Sequence, residues 1–484
     1  MSGIKISLIG SFRKFRRGWI VIAAAVMVGA LGAATLPNLF PSRDPSGVLE
    51  TYHWSGPRDE SGPFFQSLGT NGRSCATCHV PGNAFGLSAA QVASIYQRTQ
   101  GHYPLFAPVD GAACPVATED HPMNFELLRR YGLFRIALPL APNPQFTISV
   151  VHDPYGCALV SDPSSGAVTV SVYRRPLPAT NLGFLTAVQF DGRESIAPLN
   201  NPQTYVANLM SDLKHQALDA TMGHAQAAVT PTDAQLTQIV AFEAALNSAQ
   251  AVDATAGRLD SDGASGGPRL LSQTVFFPGI NDSMGGDPTG AAFRSNAFTL
   301  YSNWKKSPDP NRRSVARGEE IFNTHPLLIT NVRGLNDATH QPVITGTCTT
   351  CHDAPNVGNH SLPLPLEIGT SRSAQFETDP QIQAALGQLS MPDLPVFQIV
   401  CNEGPDAGEI TYTSDPGKAT LSGLCTDVGR GKGPILRGLA ARAPYFHNGA
   451  AATLDEVVEF YNDRFQMSLT EQERRDLVNF LKTL

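Results

Sequence analysis

The chain has 484 residues, with 35 lysines and arginines against 42 aspartates and glutamates, a formal charge of −7. That length implies two or three domains, and the acidic balance argues against nucleic acid as a partner. Glycine and proline together number 80, which excludes a lean helical bundle and points to a loop-rich fold.

The N-terminus reads as an export signal. Residues 1–18 carry Lys5, Arg13, Lys14, Arg16 and Arg17 and no acid. An almost wholly apolar run follows, residues 19–36, with the small residues Gly32-Ala33-Ala34 near its end and Pro37 after it. Residues 1–36 are therefore a signal sequence or, left uncleaved, an N-terminal membrane anchor, since the run is near spanning length. Either reading places the rest outside the cytoplasm, in a bacterial periplasm, with attachment to the inner membrane as the anchored variant. Taking the five leader cations from −7 leaves −12 on the remainder, a surface suited to a soluble basic or dipolar partner.

Two strings carry most of the chemistry, Cys75-Ala-Thr-Cys78-His79 and Cys348-Thr-Thr-Cys351-His352. Each is a C-x-x-C-H, the attachment pattern of a c-type haem. Two residues between the cysteines set both sulfurs along one porphyrin edge, and the next residue turns its imidazole under the metal. A zinc site would need two further ligands at short spacing, which neither string has. A dithiol redox pair needs no histidine there. The cofactors expected are two covalent haem c groups, with His79 and His352 as proximal iron ligands.

The motifs divide the chain into an N-terminal haem domain, 45–300, and a C-terminal one, 310–484. In the first, Ser88-Ala-Ala-Gln91 is a capping box that opens a helix. A β-rich insertion follows, with strands at 145–151 and 167–173. A further helix begins near Pro231 and runs to about Ala249. Residues 254–288, rich in Gly, Ser and Asp, read as surface loop or linker. In the second domain a short helix at 315–322 leads into the haem motif. Residues 397–425 read as a hairpin, and capping boxes at Thr453–Glu456 and Thr470–Glu473 open two late helices. The last helix sets Leu477, Leu481 and Leu484 on one face. The expected fold is mainly α: two class-I cytochrome c-like haem domains with β-hairpin insertions and many loops.

Four cysteines remain beyond the haem sites, an even number suited to an oxidising compartment. Of the three pairings open to them, Cys401–Cys425, closing the hairpin, and Cys114–Cys157 are favoured.

The stretch Gly433-Pro-Ile-Leu-Arg437-Gly-Leu-Ala-Ala-Arg442-Ala-Pro444-Tyr-Phe-His447-Asn-Gly, with Ala-Thr-Leu-Asp-Glu-Val-Val after it, resembles the C-terminal signature of the bacterial di-haem cytochrome c peroxidase family, which includes the MauG-type enzymes. Phe190-Asp-Gly-Arg193 resembles that family's W-D-G-R stretch. The resemblance spans roughly residues 60–484 and implies one haem for electron entry and one for peroxide. It implies a cytochrome c, a cupredoxin or a periplasmic dehydrogenase as partner. His447 is a family position near the second haem. Arg193 and Arg437 are candidate propionate partners, since guanidinium matches a carboxylate pair.

The departures are informative. Phe190 stands where the peroxidases have tryptophan. Arg442-Ala-Pro444 replaces the Thr-Ala-Pro that helps hold a bridging calcium, and a cation there would repel the ion, so calcium stays an open assignment. No histidine follows His79 before His102 to serve as a second ligand. Gln216-Ala217 matches the Gln-Ala pair ahead of the family's acid–base glutamate, but Gln226 falls at the glutamate position. His224, two residues earlier, is the side chain that could move a proton. Gln216 and His224 are thus the catalytic candidates, against a plain ligand, propionate or surface role for His224. For the sixth ligand of the second haem, Tyr461 stands where MauG-type enzymes have a ligating tyrosine, and Met467 is the alternative. His325, His340 and His360 flank the second motif and read best as surface-loop residues. The opposing functional class is a non-catalytic di-haem electron carrier.

Overall fold

The computed structural model describes residues 38–112 and 122–484. The leader at 1–36 and Cys114 lie outside the described residues. Helices are joined by small antiparallel sheets, and helix carries more of the described chain than strand.

Capping fixes most helix starts. Ser88 accepts the Gln91 N–H at 3.2 Å and opens the Ala89–Thr99 helix, though only the serine half of the expected box forms. Thr232 opens Asp233–Ala244 with a full capping box. That helix stops short of the expected Ala249, because Leu246–Asp253 is a strand paired antiparallel with Gly47–His53. Its alternate residues face buried surroundings on both sides, and tertiary pairing outweighs the helix-friendly composition of Asn-Ser-Ala-Gln-Ala. Asp309 caps Pro310–Thr324, twice the length expected from 315–322. Thr453 caps Leu454–Arg464, and Thr470 with Glu473 forms a complete box on Glu471–Lys482. Leu477, Leu481 and Leu484 are all buried.

Two apolar clusters flank the two haem motifs. One gathers Phe64, Phe85, Leu182, Leu213, Ile239 and their neighbours, with Cys75 packed against it. The other gathers Phe298, Trp304, Phe322, Val458, Leu477 and Phe480, with Cys348, Cys351 and Tyr461 packed against it. The expected strands form as Phe146–His152 and Val168–Arg174, but they do not pair with each other. Val168–Arg174 pairs with Phe134–Pro139 and Leu159–Ser161. Phe146–His152 instead adds to Val396–Cys401, which pairs on its other edge with Ile410–Thr413. The hairpin is thus the edge of a three-stranded sheet completed from the first half of the chain. The Cys401–Cys425 disulfide is present.

The stretch 254–288 departs from its expected surface-loop character. Leu259 and Asp282 are fully buried, and Pro268–Leu271 forms a short helix. His360 is likewise buried at 3% exposure rather than on a surface loop. Of its companions, His340 is exposed, and half-buried His325 has Nε2 2.8 Å from the Met467 carbonyl oxygen.

Candidate functional site

The two C-x-x-C-H segments share one local design. Ser74 and Thr77 form a capping box around Cys75–Cys78, and Thr347 and Thr350 do the same around Cys348–Thr350. His79 Nδ1 is 3.0 Å from the Phe85 carbonyl oxygen, and His352 Nδ1 is 2.6 Å from that of Gly358. A carbonyl can only accept, so each Nδ1 carries the proton and each Nε2 keeps its lone pair for a metal. Burial pushes both imidazoles below their ordinary pKa, which keeps them neutral.

A cavity of about 250 Å³, counted as space open to the centre of a water molecule, lies beside the first motif. Leu182, Leu185, Leu213, Ile239 and Ile435 give it an apolar wall. Arg175, Lys432, Arg437 and Arg442 bring positive charge to its lining. Burial pushes Lys432 down to about 8 and Arg437 and Arg442 to about 10. It pushes Arg175 to about 9, with the Arg442 charge adding to the effect. Among the described residues no carboxylate acts on any of the four. Arg175 Nε and Arg437 Nε are buried without a partner. Buried cations of this kind are costly unless an anion joins them. Arg175, Arg437 and Arg442 donate to backbone carbonyls but meet no opposite charge. An apolar slot, two thiols, a metal-ready imidazole and cations that no carboxylate neutralises fit a planar apolar group that carries carboxylates, as haem does. Arg437, a candidate from the sequence, belongs to this set. Arg193 lines the cavity too, but its Nη1 is engaged by Asp191 at 2.9 and 3.1 Å. Arg175 and Lys432 escaped the sequence reading. Their only signal was a basic residue beside a strand end and one within Gly-Lys-Gly-Pro.

Gln216 and His224 line the same cavity. Gln226 is exposed and outside the lining, with φ 53°. His224 sits at the C-terminal cap of the Tyr205–Gly223 helix, its side chain 50% exposed. Its Nδ1 lies 3.1 Å from Asp110 Oδ2. Asp110 is buried and held by Arg73, whose Nη1 and Nη2 donate at 2.8 and 2.9 Å. Burial would raise the Asp110 pKa, but hydrogen bonds from His224 and Arg73 and the Arg73 charge hold it below the ordinary carboxylate range. An ionised Asp110 accepts a hydrogen bond from His224 Nδ1–H and leaves the Nε2 lone pair facing away from it. This Arg73–Asp110–His224 chain was not visible in sequence, because Asp110 stands 114 residues before its histidine. Glu243, also in the lining, is pushed up to about 8 by burial and stays protonated at neutral pH.

Phe190 stacks on His447 with centroids 4.6 Å apart and planes 14° from parallel. Arg174 lies 4.9 Å over the Phe190 ring and is itself clamped by Asp191 and Asp415, each at 2.6 Å. Gly431 permits the stack, since a Cβ there would come within 2.1 Å of Phe190 Cζ. Burial pushes His447 down to about 4, so its ring is neutral.

At the second motif, Tyr461 packs against the cluster that holds Cys348 and Cys351. Burial pushes its hydroxyl well above the ordinary tyrosine range, with both sulfurs near enough to add to the effect. Met467 is buried in the same cluster at 4% exposure. Both candidate ligands thus lie in the core beside this motif.

No family model matches the chain. It is similar to the cytochrome-c peroxidase IdrP1 of Denitromonas iodatirespirans, 45% identical over 148 residues, which are 28% of this chain and 36% of that protein. It is similar to the cytochrome c551 peroxidase of Nitrosomonas europaea, 34% identical over 118 residues, 21% and 35% of the two chains. The alignments therefore span about a third of these relatives' length. A solved MauG-like protein associated with microbial copper homeostasis aligns over 68% of this chain and 77% of its own at 14% identity and a TM-score of 0.31. That superposition is too loose to argue from.

Proposed function

We propose that the chain is a member of the bacterial di-haem cytochrome c peroxidase and MauG-like family, as its similarity to cytochrome-c peroxidases supports, and on that premise that it is a periplasmic di-haem c-type oxidoreductase. It reacts with peroxide, or a related oxidant, at the first motif and takes in electrons at the second. The proposed organisation is two cytochrome c-like haem domains, 45–300 and 310–484. The carrying observation is the half-exposed His224, held by a buried, ionised Asp110 in the wall of the cavity that holds His79.

The haems, when bound, supply electron storage and the iron that meets peroxide. The chain's own part is binding, orientation and proton transfer. Cys75, Cys78, Cys348 and Cys351 would anchor the groups, and His79 and His352 would offer Nε2 to their metals. Arg175, Lys432, Arg437 and Arg442 are the cations available to propionates at the first site, with Arg193 at its edge. His224 Nε2 takes a proton from one peroxide oxygen and returns it to the other, while Asp110 fixes the tautomer and Arg73 keeps Asp110 ionised. Gln216 offers an amide in the same cavity for orienting the oxidant. Tyr461 is the proposed sixth ligand of the second metal, where a phenolate lowers the potential; Met467 would raise it. The Phe190–His447 stack offers a packed aromatic path alongside the first cavity. Calcium is not part of the proposal, because the Arg442 cation occupies the relevant turn.

Export follows from the leader, and an acidic surface suits a basic or dipolar donor such as a cytochrome c or cupredoxin. Among the described residues no helix is long and apolar enough to cross a membrane.

The test is direct. Intact mass should exceed the mature polypeptide by two haems, and the half-reduced protein should turn over peroxide with a reduced cytochrome c as donor. A mass gain of fewer than two haems sinks the cofactor assignment. Two haems with no peroxide reaction in any oxidation state would leave the electron-carrier class.

A further inference from the structure

The loop at 276–289 meets the segment just after the second haem motif, and their meeting point has the composition of a metal site. Asp282, Asp353 and His360 each place a ligand atom within 4.8 Å of the other two. Their exposures are 0%, 0% and 3%. Asp282 Oδ2 accepts the Gly286 N–H at 2.5 Å, and Oδ1 is buried with no partner. Asp353 Oδ1 accepts the Ser361 N–H at 2.6 Å, and Oδ2 accepts the Ser283 N–H at 3.4 Å and lies 3.6 Å from His360 Nδ1. His360 Nδ1 accepts the Leu362 N–H at 3.3 Å and its Nε2 is buried without a partner, while the Ser361 hydroxyl lies beside Asp353. Among the described residues no lysine or arginine acts on either carboxylate.

Two carboxylates that close together, out of water and without a cation, repel each other and lack solvation. One divalent ion would neutralise both and satisfy the unpartnered Asp282 oxygen, with the His360 imidazole beside Asp353 as the third donor. We propose that Asp282, Asp353 and His360 bind one divalent first-row transition ion, of the zinc or manganese type. The imidazole argues against calcium or magnesium, whose sites are built from oxygen. Two oxygens, one nitrogen and a nearby hydroxyl suit zinc or manganese. The ion would pin the 276–289 loop beneath the ligand-bearing turn, where Asn281 Nδ2 already donates to the Asp353 carbonyl at 3.0 Å and Ser283 Oγ to that of Thr350 at 2.7 Å. The site does not depend on the peroxidase reading.

The haem-loaded full chain is treated with chelator, desalted, and titrated separately with Zn²⁺ and with Mn²⁺, and bound metal is counted by mass spectrometry. One ion per chain should bind at micromolar concentration, and Asp282→Asn should weaken it at least tenfold while both haems remain attached. No binding of either ion to the wild type, or binding of equal strength to Asp282→Asn, overturns the proposal. Should that variant fail to fold, the wild type decides alone: its Tm should fall on chelation and rise with added ion in proportion to log concentration. A Tm indifferent to chelator and to both ions also overturns it.

Discussion

Replacing His224 with alanine separates the catalytic reading from a structural one. The side chain is 50% exposed and makes one hydrogen bond, to Asp110 at 3.1 Å. A hydrogen bond that open to solvent contributes about 1 kcal/mol. With an unfolding entropy of about 2.1 cal/mol/K per residue, a domain unit of this size loses only about 1 °C of Tm per kcal/mol. His224→Ala should therefore move Tm by about 1 °C or less. A positioned imidazole contributes ~10²–10⁴-fold to a proton transfer, so the peroxide reaction, followed by stopped-flow absorbance, should slow by at least about tenfold. Asp110→Ala is the contrasting perturbation, because it strands a buried Arg73 that is 3% exposed. Removing one partner of a buried pair costs about 3–5 kcal/mol, so Tm should drop by several degrees and the rate should fall with it. Equal peroxide rates in His224→Ala and wild type would refute the proton-transfer role. A large Tm loss in His224→Ala would show the histidine to be structural.

Tyr461→Phe should change the optical and low-temperature EPR signature of the second haem and leave the first alone; a silent Tyr461→Phe with a responsive Met467→Ala would transfer the ligand role. The Cys401–Cys425 bond closes a loop of 24 residues' separation, so its removal by double alanine substitution should cost about 3.5 kcal/mol in the chain-entropy picture, read as a lower denaturant midpoint; an unchanged midpoint contradicts this. Acid stability follows from Asp110, Asp191 and Asp415, where burial would raise each pKa but arginine neighbours, with His224 also bonding Asp110, hold it below the ordinary range. Depressed carboxylates stabilise fully above the unfolded value of about 3.9 and lose that contribution as pH falls through the lower folded values. Thermal scans should show Tm dropping below about pH 4, and a Tm that climbs there would contradict the buried-pair assignment.

The haem motifs, the hairpin disulfide, the helix caps at Ser88, Thr453 and Thr470, and the apolar face of the last helix were legible in the sequence. Each depends on residues a few positions apart, or on a pairing that the count of cysteines narrows to three. His224 was legible as a candidate only through the family resemblance. What holds it was not, because Asp110 and Arg73 reach it across more than a hundred residues and nothing in local spacing marks them. The same reason hid the cations at 175 and 432, the strand at 246–253, and the burial of Asp282 and His360. A strand at 146–152 reads correctly from its alternation, yet its partner at 396–401 lies 250 residues away and is chosen by sheet packing alone. Sequence therefore determined which side chains are the candidates to bind haem and where short-range structure begins. Tertiary structure decided which charges are buried without an opposite charge, and that is the property from which both the candidate haem cavity and the candidate metal site were read.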